Sequence, residues 1–177
     1  IYNNIIAPWL GLALGMAGNK EDTIPNLQSN VFDLREVLER TVQLKVREGF
    51  KERKIEICGE SAKLQYPQEM ITDVLDKALG IISKVSGAKD KVTVFVRKGE
   101  DKILIRAFAT TKNLSRRRLE REVSQSGLKD ALDDIYGQVY PELFREKGYF
   151  SPTEVVLTVT LPIQDPKFLI RNGARHG

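Results

Sequence analysis

Val92-Thr93-Val94-Phe95-Val96-Arg97-Lys98-Gly99-Glu100-Asp101-Lys102-Ile103-Leu104-Ile105-Arg106-Ala107-Phe108 is the stretch on which the fold turns. Valines stand at every second position of its first half, Gly99-Glu100-Asp101 is turn chemistry, and a second extended run follows. Period-two apolar runs joined by a short polar turn predict a β-hairpin. Upstream, Ile71, Val74, Leu75, Ala78, Leu79 and Ile82 recur at helical spacing, predicting a helix over residues 68–85 in which Gly80 is a mild penalty. Leu64-Gln65-Tyr66 is a short extended piece before Pro67, and Lys54 to Cys58 alternates like a half-buried strand. Leu34, Val37, Leu38, Val42 and Val46 predict a helix to about Glu48, capped by Asp33 and ended near Gly49. Downstream, Ser115 caps a helix running to about Val123, and Ser124-Gln125-Ser126-Gly127 breaks it. Leu132, Ile135, Val139 and Leu143 predict a further helical stretch from Leu128 to about Lys147, kinked or broken at Pro141. Val155 to Leu161, stopped by Pro162, is the last strand. Few regular crossovers link consecutive strands. The order predicts an α+β fold: a two-layer sandwich with a mixed sheet of about five strands and helices on one face.

Around this region, composition narrows the function. The chain has 177 residues, 41% hydrophobic and 29% charged, the balance of one soluble globular domain. Its 28 Lys+Arg against 24 Asp+Glu give a net charge of +4, too mild to imply nucleic acid by itself. The single cysteine, Cys58, rules out an intrachain disulfide and any multi-cysteine metal site, and fits a reducing compartment, the cytoplasm or an organellar interior. The single histidine, His176, sits one residue from the end, so Ser-His-Asp chemistry and histidine-based metal sites are set aside. Ile5-Ile6-Ala7-Pro8-Trp9-Leu10-Gly11-Leu12-Ala13-Leu14-Gly15-Met16-Ala17-Gly18 is the most apolar run. It falls short of the roughly 20 residues of a membrane span and reads as a packed segment or the end of an upstream helix, with a dimerisation or membrane-interface role as the sharper alternative. Residues 1–30 are read as this segment and a polar linker, 31–163 as the domain, and 164–177 as a basic tail.

The order of elements and several phrases within it resemble the ATP-binding domain of sensor histidine kinases, the GHKL class shared with gyrase and MutL ATPases. Phe32-Asp33-Leu34-Arg35-Glu36-Val37-Leu38 is similar to that family's opening phrase. Pro67 through Ser86 is similar to its long helix, Lys91-Val92-Thr93-Val94 to the strand after it, and Val156 through Pro162 to its final strand. The resemblance implies a kinase-type ATPase fold over about residues 31–163. It also says where the chemistry would lie. The family's long helix carries an Asn that holds magnesium; that position is Ile81 here, and a second usual Asn falls on Lys77. An alkyl side chain offers no oxygen to a hard cation. The family's Asp-x-Gly-x-Gly becomes Ala109-Thr110-Thr111-Lys112-Asn113, so Ala109 replaces the adenine acceptor while Thr111 and Asn113 replace the glycines. Its final Gly-x-Gly becomes Gly127-Leu128-Lys129, with a side chain at Lys129 where close approach to phosphate is wanted. The resemblance therefore implies a kept scaffold with no bound cofactor or metal and no catalytic residues.

Three function classes follow. The first is a noncatalytic, pseudokinase-type regulatory or protein-interaction module, with two-component-type signalling as its setting. The second is a divergent ATP-binding kinase or ATPase using residues such as Lys112, Lys129 or Arg116. The third is a basic accessory protein that binds nucleic acid. Arg116, Arg117, Arg118 and Arg121, where the family keeps its lid, read either as a solvated face with Arg/Glu pairs or as an anion or partner contact. Four positive charges near a helix start oppose the macrodipole, which favours the second reading. Asp130, Asp133, Asp134 and Glu142 read as a solvated face rather than a metal cluster. Cys58 reads as a buried apolar residue and Trp9 as a packing anchor. Tyr136, Tyr140, Phe144, Tyr149 and Phe150 read as core packing, with a partner-binding groove as the alternative.

Overall fold

The computed structural model describes residues 31–48, 54–112, 114–145 and 153–164. The N-terminal segment with Trp9, the basic tail with His176, Gly49, Asn113, Tyr149 and Phe150 lie outside the described residues.

The elements run β1 (Val31–Asp33), α1 (Leu34–Glu48), β2 (Ile55–Gly59), β3 (Lys63–Gln65), α2 (Gln68–Val85), β4 (Val92–Lys98), β5 (Lys102–Thr111), α3 (Arg116–Gln125), α4 (Leu128–Asp133), β6 (Gln138–Arg145) and β7 (Thr153–Pro162). Five strands form one sheet in the order β2-β4-β5-β7-β6, and β1 and β3 form a separate two-stranded ribbon. The β2–β4 pair is parallel and the other three are antiparallel, so the sheet is mixed, as expected. The hairpin lies at its centre, with β5 hydrogen-bonded to both β4 and β7.

The alternation read from the sequence decides which face is packed. Val92, Val94 and Val96 of β4 and Ile103, Ile105, Ala107 and Ala109 of β5 are buried in one hydrophobic core with the apolar face of α2. Fully burying one such aliphatic side chain stabilises by about 1.5–3 kcal/mol, so this row of residues holds helices and sheet together. Asp33 caps α1 as expected, its Oδ1 accepting from Arg35 N at 2.8 Å. Tyr66 is fully buried and its hydroxyl donates to the Pro162 carbonyl at 3.0 Å, fastening the end of β3 to the end of β7. Gly59, at φ +97°, ends β2 where any Cβ would stand 2.1 Å from the Val96 carbonyl oxygen.

The expectation for the segment after Gly127 fails. The helix expected from Leu128 to Lys147 is instead the short α4 followed by the strand β6. Tyr136 takes a left-handed conformation, φ 55°, and Gly137 N donates back to the Leu132 carbonyl at 2.8 Å, which closes α4 with a Schellman-type turn. The four-residue spacing of Ile135, Val139 and Leu143 fits a helix, but it also fits a strand, because four is a multiple of two. Beyond the turn, half-buried Val139, Pro141 and Leu143 alternate with exposed Gln138, Tyr140, Glu142 and Phe144. Pro141 is accommodated because β6 is an edge strand, where a missing donor can face the free side. Cys58 also differs from expectation: on the edge strand β2 it is half-buried and free rather than buried.

Candidate functional site

The positions that the resemblance singles out lie where α2 meets β5, α3 and α4. Ile81 and Lys77 are one turn apart on α2. Ile81 is 2% exposed and belongs to the hydrophobic core. Lys77 is half-buried, and its ammonium is held by the Asp73 carboxylate one turn earlier. Gly127 stands against the same side chain: a Cβ built on it would lie 3.4 Å from Lys77 Cε. Gly127 is left-handed, φ 71°, and stands at the N-cap of α4 without a side chain to cap it. The structure thus brings Lys77 and Gly127 together and fills the space between them with the lysine stem.

Ala109 lies near the end of β5, 3% exposed, paired with Val92 on one side and Val155 on the other. Two residues on, Thr111 is buried and its Oγ1 donates to the Val85 carbonyl at 2.6 Å. This bond ties the end of β5 to the end of α2 and satisfies a helix carbonyl. Lys112 is exposed. Lys129 is exposed on α4, where it lines a shallow cleft of about 240 Å³ with Leu132, Asp133, Gly137, Gln138, Val139 and Tyr140.

Two helices close over α2. Leu119 and Val123 of α3 and Leu128 and Leu132 of α4 are buried in the same core as Ile81. The Ser115 hydroxyl caps α3 as expected, accepting from Arg118 N at 3.2 Å. Within the arginine run the roles divide. Arg116 Nε donates to Glu120 at 3.0 Å across one turn, while Arg117, Arg118 and Arg121 are exposed. Between α3 and β6 lies a groove of about 240 Å³ lined by Arg116, Leu119, Glu120, Pro141, Glu142, Leu143 and Phe144.

Other readings sort as follows. Among the described residues, no three His, Cys, Asp or Glu side chains converge as a metal-holding group; Asp130, Asp133, Asp134 and Glu142 are exposed. The core-packing reading of the aromatic zone is corrected for Tyr136, Tyr140 and Phe144, which are exposed because they stand on the turn and on the outward positions of β6. Sequence reasoning missed both β6 and this exposure. The signal was present in Val139-Tyr140-Pro141, a β-prone pair followed by a helix breaker. One exposed pair has resolved electrostatics. Lys91, just before β4, bonds to Glu56 of β2, which lowers the Glu56 carboxyl below its ordinary 4.5 and raises Lys91 above its ordinary 10.5. Among the described residues no helix is long and apolar enough to cross a membrane.

No protein-family profile matches the chain, and no curated protein matches its sequence. Solved structures do match. The mycobacterial sensor histidine kinase MprB aligns at TM-score 0.60 and 11% identity, covering 77% of this chain and 99% of that one. The nucleotide-free catalytic domain of histidine kinase ThkA aligns at TM-score 0.58 and 17% identity, covering 78% and 99%. The Acinetobacter baumannii histidine kinase AdeS aligns at TM-score 0.56 and 13% identity, covering 76% and 66%. At these identities the likeness is one of fold, and the whole of two of those domains is spanned. The chain carries the α+β fold of the GHKL-type catalytic domain of sensor histidine kinases.

Proposed function

We propose that this is a noncatalytic histidine-kinase-like domain, a pseudokinase that serves as a regulatory protein-interaction module. The observation that carries the reading is Ile81. At the helix position where the resemblance places a magnesium-holding Asn, this chain has an alkyl group packed in the core. The residues present do not fit the nucleotide. Ala109 offers no acceptor to an adenine amino group, and Lys77 lies against Gly127 with its charge matched by Asp73. Leu119, Val123 and Leu128 add apolar side chains to the same core. ShkA, solved full-length in complex with AMPPNP, aligns with this chain at TM-score 0.52 and 12% identity over 30% of its own length.

The interaction half of the proposal rests on what stays exposed: Arg117, Arg118 and Arg121 on α3, beside a groove shared with β6. ThkA has been solved in complex with the response regulator protein TrrA, and that chain aligns here at TM-score 0.55 and 16% identity. A protein partner within two-component-type signalling is therefore the partner class proposed. The reading is tested by thermal denaturation with ATP and magnesium. A ligand at 100 times its dissociation constant stabilises by about 2.7 kcal/mol. The proposal expects an unchanged melting temperature at millimolar ATP-magnesium, and a rise of several degrees overturns it.

A further inference from the structure

Strand β6 ends the five-stranded sheet. Among the described residues it pairs with β7 alone, so the main-chain donors and acceptors of its outer row are unused. Such an edge is a template for another strand. Tyr140 and Phe144 stand on its outward positions, 47% and 51% exposed, and half-buried Val139 and Leu143 stand on the helix side. The two ends of this edge carry opposite charge. At the α3 end, beside Pro141 to Phe144, Arg116 is matched by Glu120. Arg117, Arg118 and Arg121 are exposed and make no ion pair among the described residues. Against these three β6 sets only Glu142, which leaves a surplus of two positive charges. At the α4 end, beside Gly137 to Tyr140, exposed Asp130, Asp133 and Asp134 stand against Lys129, a surplus of two negative charges.

We propose that this edge is a homodimer contact, in which β6 pairs antiparallel with β6 of a second copy and the two sheets join. The inference rests on the reading of the α3 arginines as a protein contact, and it names a second copy as the occupant. A two-fold axis reverses the strand, so the basic α3 end of each copy lies against the acidic α4 end of the other. A ligand of one sign would answer only one end. The axis passes through Pro141. There Val139 faces Leu143 of the second copy, and Tyr140 faces its Glu142. Moving the axis to Glu142 sets two carboxylates face to face, which like charge disfavours. Moving it to Tyr140 puts Leu143 and Phe144 opposite the turn that precedes β6. Pro141 brings no N–H to the axis, so main-chain bonds form on its flanks alone. The charged ends therefore carry much of the affinity, and the association is sensitive to salt.

Sedimentation equilibrium of the full chain at high protein concentration tests this. At low salt the native chain should weigh as a dimer. At roughly 1 M sodium chloride, where charges are screened beyond about 3 Å, the association should weaken at least tenfold. Arg117→Glu combined with Arg121→Glu should give a monomer, and so should Asp130→Lys combined with Asp133→Lys. An equimolar mixture of the two variants should restore the dimer, because each contact then pairs opposite charges again. A native chain that is monomeric at low salt overturns the proposal, and leaves the interaction-module reading to the ATP-magnesium test. A dimer that salt does not weaken also overturns it and moves the contact to another surface. A mixture of folded variants that stays monomeric does the same. Should either variant lose its circular dichroism, the salt titration of the native chain decides alone.

Discussion

Ile81 is the residue on which the functional reading rests, and its neighbours say what it is worth. It is packed on the core face of α2 with Ile82 and Leu79 beside it in sequence, both buried. Replacing it by the Asn that the resemblance expects exchanges apolar contact for an amide without partners. Such a change loses transfer free energy and leaves a buried polar group unpaired, at about 1–3 kcal/mol for the second effect alone. We expect Ile81→Asn to destabilise by about 3 kcal/mol in chemical denaturation, without creating ATP affinity. A variant as stable as the parent would mean that this position faces a solvated cavity. Tyr136 makes the opposite case. It is an exposed side chain on a left-handed backbone, which costs a non-glycine residue roughly 1–2 kcal/mol. Tyr136→Gly should therefore raise stability by about 1 kcal/mol, read as a higher denaturant midpoint. Loss of stability would show that the ring contributes packing that its exposure conceals.

At the scale of elements, legibility followed periodicity. α1, α2 and the β4–β5 hairpin were readable because each presents one unambiguous period, and the caps Asp33 and Ser115 stand where the chain needs them. β6 was not readable because Ile135, Val139 and Leu143 satisfy two periods at once. The deciding facts, a left-handed Tyr136 and an edge position that tolerates Pro141, belong to tertiary structure. The same limit hid the exposure of Tyr140 and Phe144. The positions that the resemblance singles out were legible as residue types, whereas their burial and the contact of Lys77 with Gly127 needed the fold. Two element-scale predictions follow from charge. Reversing Arg116, Arg117 and Arg118 to Glu should remove a captured protein partner while shifting stability by only about 0.5 kcal/mol, since the run is exposed. An unchanged set of partners in affinity capture would return α3 to a solvated face. The Glu56–Lys91 pair joins β2 to the residue just before β4. Glu56 is lowered in the folded state, so its contribution is present above its ordinary 4.5 and is lost as pH falls through the lower folded value. Lys91 is raised, so its contribution holds below its ordinary 10.5 and is lost as pH rises through the higher folded value. Glu56→Gln should consequently lower the melting temperature slightly at pH 7 and not at all at strongly acidic pH. An equal deficit at both would assign the effect to packing.

For the whole molecule, the mixed sheet and the helix layer have the fold of histidine-kinase catalytic domains, and the interior is packed like an ordinary core. A fold of this kind hosts function through a few groups set on it, and replacing those groups leaves the scaffold free for another use. On the proposed noncatalytic reading, two contacts can be weighed. On that reading, the absence of an oxygen ligand at Ile81 and of an acceptor at Ala109 would each cost about 1–3 kcal/mol, which together amounts to about two to four decades of affinity. A micromolar site would fall to the millimolar range or vanish. Isothermal titration calorimetry of the full chain with ATP, run with and without magnesium at high protein concentration, measures this loss directly. The account predicts no saturable heat up to millimolar nucleotide and no dependence on magnesium. A magnesium-dependent dissociation constant in the low micromolar range would contradict it.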